Sequence, residues 1–108
     1  MPNPISSSRA AAPVAAYSQA VEAGDLVFVS GQIPLNPENG ELVAETIEAA
    51  TAQSLRNVTR VLKAAGLGLE QVVKATVFLT DSGDYAGMDA TSRTPVPEPF
   101  PAREAVFV

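Results

Sequence analysis

Thr46-Ile47-Glu48-Ala49-Ala50-Thr51-Ala52-Gln53-Ser54-Leu55-Arg56-Asn57-Val58-Thr59-Arg60-Val61-Leu62-Lys63-Ala64-Ala65 is the stretch whose reading decides the fold. It contains no Gly or Pro. Ile47, Ala50, Leu55, Val58, Val61, Leu62 and Ala65 recur at three- and four-residue steps, which places them along one stripe of an α-helix. Gln53, Arg56, Asn57, Arg60 and Lys63 lie away from that stripe, and Gly66 follows as a helix-ending residue. The helix is therefore expected to bury one face against another layer.

That layer is legible on either side. Val72 to Thr80 alternates Val73, Ala75, Val77 and Leu79 against Val72, Lys74, Thr76, Phe78 and Thr80, the period of a strand with two unlike faces, one of them meeting the helix. Leu26-Val27-Phe28-Val29-Ser30, preceded by Gly24-Asp25, is a short apolar run expected to be a strand buried on both faces or nearly so. Gly31 ends or bends it. Pro34, Asn36, Pro37, Asn39 and Gly40 then make a loop, with Asn39-Gly40 a tight-turn signal. Asp81, Ser82 and Asp84 offer caps for a second helix over roughly Tyr85 to Thr91. Prolines at 95, 97, 99 and 101 exclude helix and predict an extended segment, after which Ala102 to Val108 resumes as a strand. Met1 to Ser8 is small and polar, a frayed start unless it pairs at an edge. The order implies an α+β domain, one sheet with two helices packed on one face.

Composition narrows the chemistry. A chain of 108 residues, 46% hydrophobic and 18% charged, is expected to form a single domain over 1–108. The formal charge of −5 and the lack of a basic cluster argue against nucleic acid as partner. Without Cys or His, thiolate catalysis, thiolate metal sites and the commonest general base are excluded, which leaves carboxylates, hydroxyls, arginine and backbone groups. Glu38, Glu41, Glu45 and Glu48 span a loop and a helix start, where acidic side chains favour the helix dipole, so no metal is expected. No run approaches the ~20 apolar residues of a membrane span. A cytoplasmic protein without membrane association is the expectation.

Two local features could carry chemistry. Pro101-Ala102-Arg103 fixes a guanidinium at the start of a strand, and the planar donor fork suits a small carboxylate; a surface or interface salt bridge is the alternative. Ser30-Gly31 at a strand end offers a hydroxyl and a backbone N–H that ligand atoms could approach, or Gly31 merely permits a bend.

Ser30-Gly31-Gln32-Ile33-Pro34-Leu35-Asn36-Pro37 and Pro99-Phe100-Pro101-Ala102-Arg103, together with Tyr17, Gly24-Asp25, Gly40-Glu41, the long helix and Val73 to Leu79, resemble the RidA (YjgF-type) family over nearly the whole chain. The resemblance implies a chorismate-mutase-like α+β fold assembled as a homotrimer, with three pockets between neighbouring subunits. It implies hydrolysis of reactive 2-enamino or 2-imino acids to 2-oxo acids and ammonia without a cofactor. Arg103 matches the family arginine that grips the substrate carboxylate, while Tyr17, Ser30 and Gly31 match pocket-lining positions. Ala105 stands where cysteine is frequent and supplies backbone groups. Asp89 stands where asparagine is usual, and its charge would weaken anion binding unless the side chain is turned away or protonated. The family also has a further strand whose glutamate positions the attacking water, so the domain is expected to be C-terminally short. Within its own strand Glu104 should face away from Arg103, leaving Asp89 and Tyr17 as better placed acid/base groups. A non-catalytic trimer binding small carboxylates, or a specialised pathway protein, is the competing expectation. Ribonuclease activity, suggested for some relatives, fits poorly with an acidic chain lacking His.

Overall fold

The structure is a computed structural model that describes residues 2–108. Seven regular elements run in the order β1 (Asn3–Ile5), β2 (Ala20–Ala23), β3 (Leu26–Val29), α1 (Ile47–Ala64), β4 (Lys74–Leu79), α2 (Tyr85–Ser92) and β5 (Ala102–Phe107). The fold is α+β, as expected.

The long helix forms where the pattern placed it. Thr46 Oγ1 accepts from the Ala49 amide and satisfies one of the free donors of the first turn. At the other end Gly66, with φ of 76°, lets its own amide bond Lys63 O and the Leu67 amide bond Leu62 O, closing the last turn. The buried face differs from the apolar stripe. Val61 and Leu62 are buried, but so are Gln53 and Asn57. Asn57 Nδ2 donates to Ile33 O and Leu35 O, and Gln53 Nε2 donates to Asn57 Oδ1, so polar side chains expected to lie away from the stripe pin the loop after β3 onto α1. Burial costs them little because their hydrogen bonds are made.

Residues 20–29 form a tight hairpin in which Ala23 pairs with Leu26 across Gly24-Asp25, the positive φ of Gly24 permitting the turn. Val27 and Val29 pack toward the cluster of Ala10, Ala20 and Val61, whereas Leu26 and Phe28 are 55% and 61% exposed. β3 is thus partly buried on one face, not buried on both, because nothing among the described residues covers its other side. β1 adds to β2 in antiparallel register, with Pro4 opposite Val21, so the N-terminal segment pairs at an edge instead of fraying; Met1 lies outside the described residues.

β4 and β5 pair in parallel from Lys74↔Ala102 to Leu79↔Phe107, with α2 in the crossover. Alternation along β4 holds: Ala75, Val77 and Leu79 are covered, Lys74, Thr76 and Phe78 exposed. The single sheet expected from the element order is instead two, β1-β2-β3 and β4-β5, since no described strand pairs with the outer edge of β3. Asp81 caps the short turn before α2 through the Gly83 amide. After α2 the proline-rich segment passes through turns and bends, departing from the straight extended course expected.

Candidate functional site

α2 and the β4-β5 ladder together frame an open cavity of about 400 Å³. Its floor is apolar, with Ala75 and Val77 from β4, Ala105 from β5 and Leu55 from α1; Tyr85, Asp89, Ser92, Arg93 and Arg103 supply the polar groups. The spacing explains the convergence. Tyr85, Asp89 and Arg93 are four apart on or next to one short helix and so share a face. Arg103 and Ala105 are two apart on β5, so they share the sheet face beneath it.

Arg103 is held from several sides. Its Nη2 donates to the Tyr85 hydroxyl at 2.7 Å, its Nη1 lies 3.1 Å from Asp89 Oδ1 and contacts Met88 Sδ at 3.9 Å, and the guanidinium carbon sits 5.4 Å from the Tyr85 ring centroid. The Arg103 side chain is 28% exposed and that of Asp89 25%, so the pair is neither sealed nor freely solvated. The Nε–H and one N–H of Nη2 have no protein partner among the described residues, which leaves donors for a carboxylate.

Asp89 also pairs with Arg93, whose Nη2 lies 2.9 Å and whose Nε lies 3.1 Å from Oδ2. These bonds, Arg93 first and Arg103 second, hold the Asp89 carboxyl below its ordinary range. Asp89 is therefore neither turned away nor protonated; it faces the cavity as an anion. Glu104 points to the other side of β5, as the strand period requires. It accepts from Thr76 Oγ1 at 2.9 Å and lies 3.5 Å from Lys74 Nζ, and those partners lower its pKa.

Arg103, Asp89 and Ala105 come together in this cavity; Tyr17, Ser30 and Gly31 do not line it. Tyr17 is 45% exposed. Ser30 Oγ donates to Ser18 O at 2.6 Å and its amide to Gln19 O at 2.9 Å, so both of its donors are already engaged. The Gly31 amide has no partner among the described residues, and a Cβ at Gly31 would meet nothing within 4 Å. Its φ is not positive, so the bend alone does not demand glycine. Sequence reasoning missed Tyr85, the residue closest to Arg103, and Arg93; the four-residue spacing through Asp89 was the available signal.

The model of the endoribonuclease L-PSP family matches residues 7–108. Among curated relatives, a RutC family protein of Pyrococcus horikoshii is 42% identical, with 96% of this chain and 82% of that protein covered. The 2-iminobutanoate/2-iminopropanoate deaminase of Escherichia coli is 40% identical, with 100% and 86% covered. Among solved structures, RidA from an Antarctic Psychrobacter species superimposes with a TM-score of 0.94 at 40% identity, covering 98% of this chain and 85% of that one. Escherichia coli TdcF with bound serine gives 0.92 at 35% identity and the same coverage.

Proposed function

The chain belongs to the endoribonuclease L-PSP family, which takes in the RidA (YjgF-type) proteins its motifs resemble, and on that premise we propose that it hydrolyses small 2-imino and 2-enamino acids. The products are 2-oxo acids and ammonia. The observation that carries this reading is Arg103, presented at the rim of an apolar cavity with donors to spare and buttressed by Tyr85. A guanidinium anchors the substrate carboxylate, and the small side chains of Ala75 and Ala105 leave room for a short aliphatic chain.

In the proposed reaction an enamine first gains a proton at carbon and loses one from nitrogen to become the imine. Water then adds to the C=N carbon, and the resulting carbinolamine expels ammonia as its C–N bond breaks, leaving the carbonyl. No cofactor is required, because the C=N carbon is already electrophilic. In the same reading the active assembly is a cytoplasmic homotrimer, with each Arg103 cavity completed by Tyr17, Ser30 and Gly31 of a neighbouring subunit. Tyr17 carries a proton there, and the unpartnered Gly31 amide binds a substrate oxygen or nitrogen. The exposed Leu26, Phe28 and Phe78, at 55%, 61% and 66%, supply the apolar surface such an assembly would cover. No helix among the described residues is long and apolar enough to cross a membrane.

One observation favours a second reading, a carboxylate-binding protein without turnover: the carboxylate that faces the cavity, Asp89, is committed to two guanidiniums. The net charge of −5 weighs against the nuclease activity in the family's description. The deciding experiment supplies an enamine generated in situ by a dehydratase and follows ammonia and 2-oxo acid, with calorimetry on 2-oxobutyrate in parallel. Accelerated ammonia release supports the deaminase. Binding without acceleration supports the second reading, and absence of both overturns each.

A further inference from the structure

The Arg103 fork is shared with a carboxylate of the chain itself. Asp89 bridges Arg103, at 3.1 Å through Oδ1, and Arg93, at 2.9 Å through Oδ2. These three are the only formally charged side chains among the residues lining the cavity, and together they leave it one net positive charge. Of the uncharged lining, the Ser92 hydroxyl already donates to Met88 O and the Tyr85 hydroxyl lies against Arg103 itself, while Leu55, Ala75, Val77 and Val96 offer no side-chain donor for a second anionic group.

We infer that Asp89 sets the charge class of the ligand, matching the cavity to monocarboxylates and rejecting dicarboxylates. The inference rests on the carboxylate-binding reading of Arg103 and specifies it. One ligand carboxylate brings the cavity to neutrality. A second would lie against apolar wall, where an unpaired charge is costly to desolvate, or near the Asp89 carboxylate, which repels it. Arg93 could serve that second carboxylate, but Asp89 engages it through both Nε and Nη2. The same residue therefore orients Arg103 and withholds Arg93.

The test compares 2-oxopentanoate with 2-oxoglutarate, which have the same carbon number and differ by one carboxylate, by calorimetry at fixed ionic strength. The unaltered protein should bind 2-oxopentanoate more tightly. Asp89→Asn should tighten 2-oxoglutarate about 10-fold more than 2-oxopentanoate, since the dianion feels the removed charge twice. Adding Arg93→Gln to Asp89→Asn returns the net charge to +1 and should restore the preference for the monocarboxylate. An equal change for both probes in Asp89→Asn overturns the inference, as does no change. So does a preference that stays lost in the double variant, which would make the effect one of shape. If no form of the protein binds either probe, the carboxylate reading beneath the inference fails with it.

Discussion

Two regions of the molecule, one around Arg103 and one around Gly31, are built differently. Around Arg103, every supporting group comes from the same short stretch of chain: Tyr85, Met88 and Asp89 on α2, with the β4-β5 ladder below. Around Gly31, the backbone is equally well anchored, through Gln19 O to the Ser30 amide and through Asn57 to the carbonyls of Ile33 and Leu35, yet the Gly31 amide has no partner among the described residues. One region frames a cavity and is the first half of the proposed site; the other, its proposed second half, is an anchored loop whose amide has no partner among the described residues. On the proposed reading, that amide meets a substrate held by the Arg103 of a neighbouring subunit.

Breaking the first half should have the largest effect. Arg103→Ala removes at least two charge-assisted hydrogen bonds to the substrate carboxylate and should lower kcat/KM about 100-fold or more, measured by ammonia release. An unchanged rate would remove Arg103 from the proposed role. Breaking the anchor of the second half should cost stability. Asn57→Ala strands the part-buried Leu35 carbonyl and the buried Gln53 amide, while Ile33 O keeps the Leu35 amide, so the urea midpoint should fall by the equivalent of about 2 kcal/mol. Two glycines sharpen the contrast. Gly66→Ala forces an L side chain to a φ of 76° and should cost about 1 kcal/mol, whereas Gly31→Val, at an ordinary φ and in open space, should leave the chain's unfolding unchanged while depressing turnover.

The smallest expected effect concerns pH. The Asp89 pKa is lowered by folding, so its ion pairs stabilise the cavity fully above the unfolded value of about 3.8 and lose that contribution only as pH falls through the lower folded value. Ligand preference should therefore stay constant from pH 8 to pH 5. A change near neutrality would mean that Asp89 is not the ionised group described.

Much of the first half could be read in the sequence, though not its closure. The strand period of β4 and the rigid approach to Arg103 placed the guanidinium and turned Glu104 away, because strand alternation is a local rule. That Arg103 meets Tyr85 depends on β5 pairing parallel to β4 with α2 packed across them, a non-local outcome. The second half was misjudged at Gln53 and Asn57. A stripe drawn from apolar residues alone sends amides to solvent, yet both lie in line with Val61 at four-residue steps and are buried because loop carbonyls meet them. The split of the expected single sheet also escaped the pattern, since strand order along the chain does not say which edges pair.

The most direct test of a site shared between subunits is complementation. Arg103→Ala and Gly31→Val are each expected to be nearly inactive, and each leaves the opposite half intact. Co-expressed at equal levels, with mixed oligomers verified by native mass spectrometry, they should recover about a quarter of the unaltered activity, because one neighbouring pair in four combines an intact Arg103 with an intact Gly31. Mixed oligomers as inactive as either parent would contradict the account and place both halves within one chain.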